Sequence, residues 1–190
     1  MNIRVEHVHK QFLNLVVFND YSCNFEKASM HIFFGASGCG KTTLFRLLMG
    51  LDNAYTGNIT GMEKRRKAAV FQEDRLVESL SIAANLKLVN ASLCDKAIEQ
   101  HLLGMGLSGL MHKKVKELSG GMKRRVSIIR ALVVESEVLF FDEALKGMDK
   151  DTEHKVVEYM LPFLEGKTIF WITHNPEEAA YFQKYSIHRL

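Results

Sequence analysis

The sequence predicts an α/β fold with a mainly parallel sheet, and three observations carry that expectation. Strand patterns alternate with helical ones along the chain, which is how parallel strands and their crossover helices read. Val138 to Phe141 are apolar on both faces, as a strand buried in the middle of a parallel sheet must be. From Ser81 to about Lys116 the pattern is mostly helical and contains no convincing strand, so a helical lobe spanning about residues 73–134 is expected to interrupt the sheet. With 190 residues, 47% of them hydrophobic and 25% charged, the chain has enough apolar side chain for one substantial core, and residues 1–190 are expected to form a single domain with that insertion.

The elements follow in order. IRVEHV, LVVF, YSCNF and MHIFFG read as early strands. KTTLFRLLMGL is a helix, because Leu44, Leu47, Leu48 and Leu51 recur at helical spacing. AAVFQ is a short strand, and the helical lobe after it is broken by Gly104, Gly106 and Gly109. A helix opens at LSGG, the strand EVLFFD follows, then a helix over Asp151 to Leu164 and the strand TIFWITH. A short helix starting near Pro176 and a last strand, YSIHRL, complete the pattern.

Composition limits the function. The 25 basic and 22 acidic residues leave a net charge of +3, scattered along the chain, which neither demands nor excludes an anionic partner. Cys23, Cys39 and Cys94 are odd in number and lack metal-ligand spacing, which favours a reducing compartment. MNIRVEHVHK does not resemble a secretory signal, and no apolar run approaches the length of a membrane span. A membrane role would require another chain to make the crossing.

GASGCGKTT, at 35–43, lies between a strand and a helix. Glycines at 35, 38 and 40 let the backbone curl with its N–H groups inward, a nest for phosphate oxygens at the positive end of the following helix. Gly35, Ala36, Ser37, Gly38, Cys39, Gly40, Lys41, Thr42 and Thr43 are therefore read as a phosphate-binding loop, with Lys41 reaching the β- and γ-phosphates and the Thr42 hydroxyl reaching Mg²⁺. The ordinary alternative is a glycine turn before a helix.

EVLFFDEA ends its apolar run abruptly in Asp142 and Glu143. Parallel strands point their carboxyl ends at the ligand crevice, so Asp142 suits a place beside Mg²⁺ and Glu143 suits a general base for water. A surface Asp-Glu turn is the alternative for the dipeptide alone. In LSGGMKRR, Ser119 is a good N-cap, while Gly120 and Gly121 are poor helix residues better explained by close approach of an anion to the backbone. Lys123, Arg124 and Arg125 fall where the helix dipole disfavours cations; they read equally as anion-facing or as a solvated basic face.

Taken together, GASGCGKTT, VFQEDRL, LSGGMKRRVSIIRAL, VLFFDEA and WITH resemble, in this chain order, the motifs of the ATP-binding cassette family, across nearly the whole chain. The resemblance implies a P-loop NTPase fold with a small antiparallel β subdomain beside the main sheet and the inserted α-helical subdomain. It further implies that two cassettes pair head to tail, a copy of this chain being the first expectation, with Ser119, Gly120 and Gly121 donating to the partner's ATP. Phe12 resembles the aromatic residue that stacks on adenine, a core Phe being the rival reading. Gln72, at the end of AAVFQ, resembles the glutamine touching Mg²⁺ or the attacking water, and His174 resembles the switch histidine at the γ-phosphate; either residue would otherwise be structural.

Asp149 resembles the acid of the loop after Glu143, although that loop reads ALKGMD where importers often have Ser-Ala-Leu-Asp. The interval from Lys41 to Gln72 is shorter than usual for the family, and the stretch after His174 leaves no room for a regulatory domain. FQEDRL resembles the nitrate, sulfonate and taurine branch of importers, and 73–88 would form the socket for a permease. The expected function is an ATPase subunit, using ATP and Mg²⁺, that energises import through a separate transmembrane permease at the cytoplasmic face of the membrane. An extracytoplasmic solute-binding protein would then be a further partner, and no nucleic acid is expected. An exporter subunit is the alternative. A soluble cassette of DNA repair would need a long coiled coil or zinc insertion between Gln72 and Leu118, where only about 45 residues without sustained heptads lie.

Overall fold

The computed structural model describes residues 2–190. In chain order the strands are β1 (Ile3–Phe12), β2 (Leu15–Phe25), β3 (Met30–Phe34), β4 (Thr56–Thr60), β5 (Lys67–Val70), β6 (Val138–Asp142), β7 (Thr168–Ile172) and β8 (Ser186–Arg189). The helices are α1 (Lys41–Met49), α2 (Ile82–Lys87), α3 (Asp95–Gly104), α4 (Gly120–Leu132) and α5 (Lys150–Leu164). Three-strand and five-strand sheets are ordered β2-β1-β4 and β5-β6-β7-β3-β8. Among the described residues no helix is long and apolar enough to cross a membrane.

The chain divides into two compact units, the first comprising the chain up to Lys67 with Ser136–Asp142 and Gly166–Leu190. Within it β6, β7, β3 and β8 run parallel, with Asp142 and Phe33 both opposite Ile172. Their carboxyl ends therefore share one edge. Val138 to Phe141 are completely buried, as the double-sided apolar run requires. Rings fill the space around the sheet: Phe140 stacks on Phe170 at 5.0 Å, and Phe45 of α1 meets Phe33 edge-on at 5.6 Å. His31 and His188 are linked across β3 and β8 at 3.1 Å, and burial pushes His188 down to about 4, so this tie is made by neutral rings.

The antiparallel sheet departs from the sequence reading in two ways. LVVF and YSCNF form one continuous strand, because the turn-like Asn19-Asp20 pair is absorbed as a bulge opposite His9, with Asp20 at φ 62. TGNIT carries no strand signal, since Gly and Asn are poor strand formers, yet it pairs with β1 as β4. Gly57 makes this possible: at φ 94, a Cβ there would lie 2.3 Å from the His7 carbonyl oxygen.

The second unit comprises Ala68–Glu135 and Glu143–Glu165 and holds α2 to α5. Ile82, Leu86, Ile98, Leu102, Val126, Ile129, Val156 and Met160 form its apolar interior. The helix starts are set by side chains: Ser81, Ser119 and Asp149 each accept a backbone N–H of the first turn. Near Pro176 the expected short helix is a 3-10 segment, Pro176–Tyr181.

Candidate functional site

β3 ends at Phe34 and delivers the loop 35–40 to the start of α1. Gly40 has φ 104, and a Cβ there would lie 2.8 Å from Val17 Cγ1 and 3.0 Å from Phe18 Cζ, so glycine is required on both counts. The first N–H groups of α1 lack intrahelical partners by helix geometry and open toward the loop. Ala36, Ser37 and Gly38 are exposed, whereas Gly35, Cys39, Thr42 and Thr43 are half-buried. Lys41 is buried, its ammonium donating to the carbonyls of Gly35 at 2.8 Å and Ala36 at 2.9 Å, with Cys39 Sγ at 3.5 Å. A cation, an N–H cluster and a helix N-terminus thus converge on one loop, which suits polyphosphate.

The Thr42 hydroxyl donates to Asp142 Oδ2 at 2.8 Å. Asp142 closes β6 and is itself buried, so hydroxyl and carboxylate are held together at the carboxyl edge of the sheet. Among the described residues no group of three or more His, Cys, Asp or Glu is arranged to hold a metal. Mg²⁺ does not require one, since it takes few protein oxygens and keeps phosphate and water ligands, and the Thr42–Asp142 pair fits that pattern.

His174 lies two residues beyond the end of β7, exposed, rather than inside the strand. The segment around it is pinned from both sides: Asn175 N donates to Thr173 Oγ1 at 2.9 Å, and the buried Trp171 Nε1 donates to Glu178 Oε2 at 2.8 Å. Phe12 ends β1 and is 43% exposed, which removes the core reading for this ring. β1 pairs with β2, the strand whose Val17 and Phe18 press on Gly40.

In the second unit, Gln72 stands two residues past β5 rather than at its end and is exposed. Ser119 caps α4, its Oγ accepting from Met122 N at 3.3 Å. Among the described residues nothing would lie within 4 Å of a Cβ at Gly120, and at Gly121 only the Gly147 carbonyl oxygen, at 3.8 Å. Glu143 has φ 51, an uncommon backbone conformation for a residue with a side chain. Its carboxylate meets Lys146 Nζ at 2.7 Å, with the Glu143 side chain 12% and the Lys146 side chain 63% exposed. Hydrogen bonds from Thr152 hold the Asp149 carboxyl below the usual carboxylate range.

The three cations after the glycines find their partners within the second unit. Arg124 is 4% exposed; it donates to the carbonyls of Phe71 and Glu143 and pairs with Asp74 at 3.1 Å. Arg125 donates to the carbonyls of Gly121 and Met105, and Lys123 pairs with Glu78 at 2.6 Å. Carbonyl and carboxylate partners supply the negative potential that the helix dipole does not. Lys146 was not singled out from sequence, and its contact with Glu143 follows only from the tight turn between them.

Residues 18–146, more than half of the chain, match the ABC transporter family. The aliphatic sulfonates import ATP-binding protein SsuB 1 of Pseudomonas savastanoi pv. phaseolicola is 34% identical over 184 residues, which span 95% of this chain and 76% of that protein. The spermidine/putrescine import ATP-binding protein PotA of Acetivibrio thermocellus is 33% identical over 195 residues, spanning 93% of this chain and 55% of that one. Among solved structures, a bacterial Atm1-family ABC exporter with ATP bound superimposes with a TM-score of 0.86 at 21% identity, covering 100% of this chain and 37% of the exporter chain, a likeness of fold. The glycine loop at the edge of the parallel sheet, the glycine-opened helix α4 and the extent of these matches agree: the chain belongs to the ABC transporter family.

Proposed function

We propose that this chain is the ATP-hydrolysing subunit of an importer, working at the cytoplasmic face of a membrane with a separate permease. The relatives named as import ATP-binding proteins support the direction of transport. The exporter likeness concerns fold alone and favours no second reading. In this reading residues 35–43 cradle the phosphates, Lys41 balances their charge and Phe12 stacks on adenine. Mg²⁺, held through Thr42 with Asp142 and Gln72 beside it, would neutralise charge on the phosphate oxygens when bound. Glu143 takes a proton from water as the water oxygen bonds to the γ-phosphorus; the bond to the bridging oxygen breaks, and ADP leaves with that electron pair. His174 positions the attacking water. Ser119, Gly120 and Gly121 receive the γ-phosphate of ATP bound to a second copy, so nucleotide closes a dimer and hydrolysis reopens it. An extracytoplasmic solute-binding protein would deliver cargo to the permease.

The single observation that carries this proposal is the pair Gly120 and Gly121. Glycine costs up to about 1 kcal/mol relative to alanine inside a helix, and less in the first turn, where these two lie. Neither has a positive φ, and a Cβ would fit without a clash at either position. The chain's own packing does not explain them, whereas an anion approaching the backbone from another molecule does. Sedimentation with Mg²⁺ and a non-hydrolysable ATP analogue tests it: the parental chain is expected at twice its monomer mass, and Ser119→Arg at monomer mass even when saturated with analogue. Monomers of the parental chain at saturating analogue overturn it.

The Glu143–Lys146 pair yields a second expectation. An ammonium on the proposed base must be displaced or shared before proton transfer. An ion pair open to water on its lysine side is worth roughly 1 kcal/mol, so Lys146→Met is expected to raise kcat by about fivefold with KM for ATP unchanged. Added salt should raise the parental kcat toward that of Lys146→Met and leave the variant unmoved. A fall in kcat on removing Lys146 would instead mean that the lysine orients the carboxylate productively.

A further inference from the structure

Lys10 lies in β1 with only 3% of its surface exposed, a placement a lysine tolerates only when its charge and its donors are matched. They are. Nζ lies 2.7 Å from Asp52 Oδ2 and 2.8 Å from Oδ1, and donates at 2.8 Å to the Ala54 carbonyl. Asp52 is fixed in turn, its Oδ1 accepting from Ala54 N at 2.9 Å, and the Lys10 ammonium holds its carboxyl below the usual carboxylate range. Asp52 follows Gly50, the left-handed C-cap of α1, so the lysine is tied to the far end of the helix that begins at the phosphate loop.

The same ammonium stands over the ring of Phe12, 4.4 Å from its centroid. Phe12 sits at the tip of the β1–β2 hairpin, where it pairs with the exposed Leu15 and is followed by the exposed Leu13. An exposed aromatic ring on a hairpin tip has little to fix its orientation. A desolvated cation at this distance supplies that constraint, because the ring's quadrupole holds the face toward the charge.

We propose that Lys10 is a positioning residue for nucleotide binding: anchored by Asp52 and Ala54, its ammonium holds the Phe12 ring as a fixed platform for the adenine base. The inference rests on the reading of Phe12 as the adenine-stacking residue and goes beyond it by assigning what orients that ring. Pre-ordering the ring removes an entropic cost that binding would otherwise carry, so the effect falls on affinity and not on the chemical step. A lysine that merely braced the 52–54 turn would act on base and phosphate binding alike.

The experiment measures binding of MgATP and of magnesium tripolyphosphate, which has no base, to the full chain by calorimetry, with kcat alongside. Lys10→Met is expected to weaken ATP binding by about three- to tenfold while tripolyphosphate affinity and kcat stay within about twofold. Phe12→Ala should weaken ATP binding at least as much, and adding Lys10→Met to it should cost nothing further, as expected if the two side chains act through one contact. Should Lys10→Met fail to fold, Lys10→Gln, which keeps a donor toward Ala54 without the charge, takes its place. Equal loss for ATP and tripolyphosphate, additive losses in the double variant, or unchanged ATP affinity in a folded Lys10 variant overturns the proposal. Unchanged ATP affinity in Phe12→Ala instead removes the adenine reading of Phe12 on which it stands.

Discussion

Glu143→Gln is expected to bind MgATP as tightly as the parental chain and to lose at least about 100-fold in kcat, the lower end of what a positioned general base contributes. The substitution keeps shape and hydrogen-bonding capacity but removes the proton acceptor, so the loss belongs to the chemical step. The backbone gives no reason for collateral damage. Glu143 holds φ 51 with its carbonyl accepting from Arg124 at 2.8 Å, and a glutamine meets the same backbone requirements. Because hydrolysis reopens the proposed dimer, the variant should accumulate as a closed ATP-bound pair. Single-turnover hydrolysis measured with radiolabelled ATP decides the matter: turnover at the parental rate would refute the base assignment while leaving the phosphate loop untouched.

The second large effect is on stability. Arg124→Met is expected to cost about 3 kcal/mol, because removing one side of a buried charge-paired cluster leaves its partners stranded. Those partners are the carbonyls of Phe71 and Glu143 and the carboxylate of Asp74. For a chain of this size the corresponding fall in Tm is about 6–12 °C, read by calorimetry. Arg124→Lys should recover little of it, since one ammonium cannot reproduce a planar fork that reaches acceptors at positions 71, 74 and 143. A fall of less than about 2 °C would mean that water satisfies those acceptors once the arginine is gone. The same bonds hold the segment containing Gln72 and the backbone of Glu143, so kcat should drop in step with stability.

What the sequence made legible was whatever depends on local chemistry. The loop 35–43 could be placed because glycines, lysine and hydroxyl follow one another at fixed offsets between a strand and a helix, and Asp142 could be placed beside it because parallel strands end at one edge. Ser119 as N-cap was visible for the same local reason. Features settled by distant residues were not. β4 exists because β1 offers it an edge and Gly57 permits the approach, and the partner edge does not show within TGNIT. The role of Arg124 stayed open between an anion-facing and a solvated cation because acceptors it reaches come from positions 71, 74 and 143, distant in the chain. Lys10 reads as solvated in its charged strand, because Asp52 beneath it comes from 42 residues further along the chain.

The chain contains a single tryptophan, and it is the fully buried Trp171 whose indole N–H is tied to Glu178 beside the segment bearing His174. The protein therefore carries a built-in optical reporter: its ultraviolet emission comes from one site of one polarity, undiluted by other indoles. Any rearrangement that breaks the bond to Glu178 will change the colour and lifetime of that emission, so events at this corner can be timed in a stopped-flow instrument without attaching a dye.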